Sequence, residues 1–279
     1  MPEWRRSLLR LWSSRTARAG ALLVLLYLGA AVFAGLAPRE PREIDQTKRL
    51  KPPAAGHWLG TDELGRDVLS RVLHGSRLSL LIGLLSVGAA LAVGVPLGLA
   101  AGECGGVVDL VLMRCVDVLL AFPGILLALA IMAVLGPSLT NLMLAVAAVN
   151  VPVYARQVRA SVLQVRSLDY VLSARALGAS RLRVVLRHIL PNIAGPIIVL
   201  ATLGIGTAIL EAAGLGFVGL GVEKDAPEWG TMLASAREYV LSHPWVVLAP
   251  GVAASLAILG FNLLGDGLRD WLDTRAAAR

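Results

Sequence analysis

Two carboxylates lie nearest the interiors of long apolar runs, Asp117 and Glu211. An acid inside a bilayer is costly to keep there and is a functional candidate by default. Arg114 stands three residues before Asp117, on the same face of a helix, which predicts a local ion pair at the end of a span. Glu211 closes the fifth apolar run, where a pathway role and a structural role fit equally well. Little other chemistry is present. A phosphate-cradling loop needs Gly directly before its Lys, and the three lysines, Lys48, Lys51 and Lys224, follow Thr47, Leu50 and Glu223. There is no GxSxG and no HExxH. Cys104 and Cys115 are separated by ten residues with no CxxC, and His57, His74, His188 and His243 are scattered, so neither a metal site nor a disulfide framework is expected. No catalytic residue and no cofactor are expected. So few buried acids and histidines also argue against a proton-driven transporter acting alone.

The elements that must position these residues are read from composition. Of 279 residues, 56% are hydrophobic and 16% charged, against a usual charged share of about 25%. A soluble core of this length could not hide that much apolar surface, whereas a polytopic helical membrane protein exposes it to lipid. The formal charge of +7 would suggest nucleic-acid binding on a soluble chain. On a membrane chain, arginines in cytoplasmic loops account for it without nucleic acid.

A bilayer core of about 30 Å needs roughly 20 helical residues. Uncharged runs over residues 20–37, 78–101, 118–136, 139–155, 189–210 and 244–264 predict six spans. Pro123 falls inside the third, and Asn141, Asn150 and Pro152 interrupt the fourth. The first run is longer than a signal-peptide core, and Pro38 follows its one plausible cleavage site, so it reads as a retained anchor. With the N-terminus inside, 16 of the 26 basic residues are cytoplasmic. The outer ten are matched by ten acids. Both termini and the loop of residues 157–188 are then expected in the cytoplasm, with the lipid bilayer of the plasma membrane around the spans. Small residues such as Gly94 and Gly98, or Gly204 and Gly206, suit close helix packing in lipid.

Residues 161–190 do not read as a linker. Leu168, Val171, Leu172 and Arg175 step by three and four. After Gly178, Leu182, Val185, Leu186 and Ile189 make an apolar face, and Arg183 and Arg187 a basic one. Gly178 is placed to end the first helix in a left-handed turn, and Pro191 is expected to end the second. Such a pair can dock a partner or rest on lipid head groups, and the pattern fits both.

The same loop carries a resemblance. Ser173-Ala174-Arg175-Ala176-Leu177-Gly178, followed by Ile189-Leu190-Pro191, resembles the EAA loop of binding-protein-dependent ABC importer permeases. Aligned on Gly178, Leu172 stands where that loop has its Glu and His188 where it has Ile, while Leu190 and Pro191 match. Three further stretches are similar to the peptide-permease branch. The first runs from His57 through Asp62, Arg66 and Asp67 to Arg71. The second covers Gly214 to Gly221 with Glu228-Trp229-Gly230, and the third Phe261 to Asp270. With four matches in order, the chain is similar to the second permease subunit of dipeptide, oligopeptide and nickel importers.

The resemblance implies an all-α, six-span permease. Residues 1–76 would be tail, anchor and outer loop; 77–265 the core, with its coupling loop at about 157–190; and 266–279 a cytoplasmic tail, in which Asp266, Arg269, Asp270 and Asp273 read as a solvated helix. It implies a homologous partner permease, two cytoplasmic ATPase subunits and an extracytoplasmic binding protein. Ser173, Ala174, Arg175, Gly178, Arg183, Arg187, Leu190 and Pro191 would couple to the ATPases. Glu211, Gly216, Phe217 and Gly219 would shape the pathway or its gate. Asp62, Arg66, Asp67 and Trp229 would meet the binding protein; residues 62–76 read as an amphipathic helix capped by Thr61 or Asp62, whose plainer role is to lie at the outer interface. An ion-coupled transporter and a membrane anchor that recruits a soluble enzyme are the rival classes.

Overall fold

The computed structural model describes residues 14–223 and 225–277, with side chains as far as residue 272. Arg5, Arg6, Arg10, Lys224 and Arg279 lie outside the described residues, as do the side chains of Asp273 and Arg275. Among the described residues the chain is helical, with only single β-bridges (Ala54 to His57, Thr61 to Asp67).

The long helices are α1 (Arg15–Val32), α2 (Val68–Cys104), the pair α3 (Gly106–Leu120) and α4 (Gly124–Leu135), and α5 (Leu139–Val165). A short α6 (Asp169–Ala176) and α7 (Arg181–Val184) lead into α8 (Leu190–Phe217), then α9 (Trp229–Ala236) and α10 (Trp245–Ala277). Five of these paths are long and apolar enough to cross a membrane, and the α3–α4 pair makes a sixth. The expected third span, continuous over 118–136, is corrected here. It breaks between Leu120 and Gly124, and its halves meet at 87°. Pro123 has no N–H to continue the ladder and disfavours helix for Phe122 before it; it becomes the residue that precedes α4.

Helices approach closely where side chains are missing. Gly94, Gly98 and Gly102 repeat every fourth residue of α2 and face α5. A Cβ on Gly98 would fall 2.5 Å from the Ala155 oxygen, and one on Gly102 2.7 Å from Val162 Cβ. In lipid, where no hydrophobic force drives association, this close approach supplies the packing energy. The stripe is therefore spent inside the chain. Likewise, a Cβ on Gly267 of α10 would lie 2.5 Å from Ala17 Cβ, and one on Gly260 2.8 Å from Leu23 Cβ. Thus α1 runs antiparallel to α10, and the described terminal helices end on one side of the bundle. That side also carries residues 166–189, the ledge. The opposite side carries residues 37–67 and 218–244, the cap.

Two further expectations are corrected. The helix placed at 62–76 starts at Val68, because Asp67 and not Thr61 or Asp62 is its cap: Asp67 Oδ2 accepts from Ser70 N at 2.8 Å. Asp62 is occupied in a turn of its own, with Oδ1 accepting from Leu64 N and Arg66 N at 2.9 Å. Pro191 does not end a helix. It sits in the first turn of α8, where a missing N–H costs nothing. A widened turn over Val185–Ile189, in which Leu190 N–H reaches back to Val185 O, joins α7 to α8 into one 37-residue path, Arg181–Phe217.

Candidate functional site

The ledge is built around Gly178. Helix α6 ends with Gly178 N–H on Arg175 O (2.9 Å) and Ala179 N–H on Ala174 O (3.1 Å), while Gly178 takes φ +85°. This is the Schellman arrangement that glycine permits without strain. Ser180 Oγ then accepts from Arg183 N at 3.4 Å and starts α7. Val171, Val184, Ile189 and Ile193 are buried against Val158 and Val162 of α5. Arg175 Nη2 donates to both oxygens of Glu103, at the end of α2, at 2.8 and 2.7 Å. Arg166 Nη1 donates to Gly102 O at 2.5 Å. The ledge is thus fastened to the ends of both helices of the α2–α5 pair.

Its outer surface differs from the expected one. Ile189 of the expected apolar face is buried, but Leu182 and Leu186 are 68% and 56% exposed. Val184 takes the buried position because the widened turn shifts the helical phase after α7. Leu172 and Leu177 are exposed too, and Ser173, Arg175, Gly178, Arg183, Arg187 and Pro191 share their exposure; Ala174 and Leu190 are half-buried. The result is an apolar surface edged by arginines and held by a buried valine–isoleucine core.

The cap behaves in the opposite way. Asp62, Arg66, Asp67 and Trp229 are buried, so their side chains do not form the docking surface expected of them. Each is satisfied by a partner within the chain. Arg66 Nε donates to Asp62 Oδ2 at 2.6 Å, Nη2 to Glu63 at 3.0 Å and Nη1 to Asp225 at 3.4 Å. Arg71 reaches Pro41 O and Ala226 O at 3.1 and 3.4 Å. His57 Nδ1 meets Asp67 Oδ1 at 2.9 Å. Trp229 stacks edge-on against Tyr27 of α1, centroids 5.7 Å apart, and its Nε1 donates to Val72 O. Glu228 caps α9, accepting from Gly230 N and Thr231 N at 2.8 Å each. Burial pushes its carboxyl up from the ordinary value, and these hydrogen bonds oppose the shift. Gly216, Phe217 and Gly219 end α8 and, with Glu63, Thr231 and Tyr239, line a groove of about 430 Å³ beside the cap.

Glu211 is elsewhere. It lies six residues inside the end of α8 and accepts from Asn150 Nδ2 of α5 at 2.8 Å. The pair borders a cavity of about 420 Å³ with Tyr154, Thr207, Gly204 and Phe122 on its walls. A second cavity of about 590 Å³ opens toward the ledge, lined by Gln157, Ser161, Gln164 and Arg269. Leu200 and Leu203 line both. Asp117 is corrected: its ion pair is with Arg156 of α5, at 2.5 Å, because α5 runs alongside α3 and brings a guanidinium to it. Asp266, Arg269 and Asp270 are exposed on α10, which runs unbroken from Trp245 to Ala277. Sequence reasoning did not single out Asn150 and Tyr154 as site residues, although an Asn inside an apolar run is itself a signal. Among the described residues no group of His, Cys, Asp and Glu could hold a metal ion.

Membrane-length helices, with one end fastened into an apolar ledge and the other closed by a cap, define a multi-pass helical membrane protein. Residues 94–278 match the family described as binding-protein-dependent transport system inner membrane component, and the chain belongs to that family. It is 47% identical to the dipeptide transport system permease protein of Alkalihalophilus pseudofirmus, over 98% of this chain and 90% of that one. It is 47% identical to a probable D,D-dipeptide transport system permease protein of Escherichia coli K12, over 96% and 90%. It is 43% identical to the glutathione transport system permease protein of Pectobacterium atrosepticum, over 98% and 91%. The fold is similar to that of a chain solved in inward-facing structures of the MetNI methionine ABC transporter, with a TM-score of 0.60 over 72% of this chain and 96% of that chain at 19% identity. The protein is accordingly a transport permease that works within an ABC transporter complex.

Proposed function

We propose that this chain is one of two homologous permease subunits of an ATP-driven importer of short peptides in the bacterial plasma membrane. The observation that carries the coupling role is the ledge: exposed Leu172, Leu177, Leu182 and Leu186 beside Arg183 and Arg187, on a buried core joined to α2, α5 and α8. One of the two cytoplasmic ATPase subunits docks there, and the other docks on the partner permease. When they close on ATP, the ledge moves as a unit and rocks the helices it is fastened to, opening the pathway alternately to either side. The chain itself hydrolyses nothing, since no lysine follows a glycine. The ledge and both termini then face the cytoplasm, and the cap faces an extracytoplasmic binding protein that delivers the solute. Gly216, Phe217 and Gly219 shape the outer gate beside the cap, with residues 77–265 as the transport core and 266–279 as a cytoplasmic tail. The dipeptide names of the relatives support the substrate class; glutathione, itself a peptide, is the second substrate to assay. The test is reconstitution with the partner permease, the two ATPases and the binding protein. ATP-dependent uptake of a radiolabelled dipeptide is expected, and uptake driven by an ion gradient without ATP would refute the reading.

A further inference from the structure

The cavity between α5 and α8 has a polar side made of two matched pairs. Asn150 and Tyr154 are four apart on α5, and Thr207 and Glu211 are four apart on α8, so each pair shares one helix face. All four line the cavity. Asn150 Nδ2 is committed to Glu211 and to Val146 O, and it is the only donor to Glu211 among the described residues. Tyr154 is 2% exposed, and its hydroxyl packs against Gly204, where a Cβ would collide with it. A carboxylate with one neutral partner is costly in a bilayer. None of the residues lining the cavity is Lys, Arg or His, so nothing on its walls neutralises Glu211. The volume of about 420 Å³ lies within the roughly 300–1,000 Å³ of small-molecule sites.

We infer that Glu211, oriented by Asn150, is a binding site in the translocation path for the α-ammonium group of the passing peptide. An ammonium supplies three donors and a positive charge. It satisfies the free carboxylate oxygen, while Asn150 fixes the carboxylate's orientation. The ligand class is a primary ammonium ion next to a small apolar body, matching the apolar remainder of the cavity. Leu200 and Leu203 then stand between this site and the Gln157–Ser161–Gln164 cavity nearer the ledge, the next station on the way in.

The inference rests on the peptide-importer reading, and the test separates the two. The reconstituted complex is assayed for uptake of radiolabelled dialanine and for ATP hydrolysis stimulated by the loaded binding protein. Glu211→Gln is expected to lower dialanine moved per ATP by about tenfold, the scale of removing one charge-assisted hydrogen bond. Stimulated hydrolysis is expected to stay near wild type, and Glu211→Asp to restore most of the uptake. In the complex without binding protein, dialanine bound at millimolar concentration should be displaced by alaninamide, which keeps the ammonium, and not by N-acetylalanine, which lacks it. If Glu211→Gln does not assemble, Asn150→Ala, which removes the group that orients the carboxylate, reads the same site with a smaller loss, about threefold. Wild-type dialanine per ATP in either assembled variant, or equal displacement by both probes, overturns the ammonium site and leaves the importer reading standing. A wild-type complex that hydrolyses ATP but moves no dialanine overturns both.

Discussion

The cap and the ledge are both rich in charged residues, and they use them in opposite ways. In the cap, Asp62, Arg66, Asp67 and Arg71 are buried, Asp62 paired with both arginines and Asp67 with His57. In the ledge, Arg175 and Arg166 fasten the edge to α2, while Arg183, Arg187 and four leucines face outward. A buried network gives one fixed shape, and breaking it leaves uncompensated charge. An exposed apolar surface on a small core needs a cover, either lipid or another protein. The cap therefore closes the bundle, and the ledge is the surface proposed to dock an ATPase.

The contrast breaks most visibly at Arg66. Arg66→Ala removes the partner of three carboxylates and should destabilise the chain by about 3–5 kcal/mol. The check is the unfolding midpoint of the purified complex, and a midpoint within a degree of wild type would mean the cap network is ornamental. Gly178→Val should cost less stability, about 1–2 kcal/mol, from the left-handed backbone alone, since nothing lies within 4 Å of a Cβ there. Its strain falls on the ledge, so uptake and binding-protein-stimulated ATP hydrolysis should drop steeply while the partner permease still co-purifies. Gly178→Ala should be milder. Leu182→Asp, at an exposed position, should change stability by no more than about 0.5 kcal/mol. It should nonetheless strip the ATPases from the complex on size exclusion.

The smallest effect expected is one of pH. Burial raises the Glu228 carboxyl above its ordinary 4.5, so the folded chain holds that proton where the unfolded chain has released it. The stability it contributes is complete below 4.5 and is lost as pH rises through the raised value. Glu228→Gln should flatten that slope in a series of unfolding midpoints upward from pH 4.5. An unchanged slope would place the titration elsewhere.

The spans were legible because uncharged runs of bilayer length admit few other structures, and the ledge turn because a glycine interrupts two helical patterns. The break at Pro123 was visible only as a proline. Nothing local says whether a helix kinks there or splits by 87°. Pro191 misled for the complementary reason: a proline ends one helix or begins another, and the widened turn over Val185–Ile189 decided it. The cap acids and arginines looked exposed because charge is usually solvated. Their burial depends on partners as distant in sequence as Arg66 and Asp225. Asn150 and Tyr154 became a pair facing Glu211 only once α5 and α8 were set side by side.

The most direct test of the account uses two photoreactive residues, one replacing Leu177 in the ledge and one replacing Leu241 in the cap, which are 89% and 95% exposed. In membranes carrying the assembled transporter, the residue at 177 should cross-link to an ATPase subunit, and the one at 241 should never do so. An ATPase adduct at 241, or none at 177 in a complex that hydrolyses ATP, would contradict the assignment of the ledge as the coupling surface.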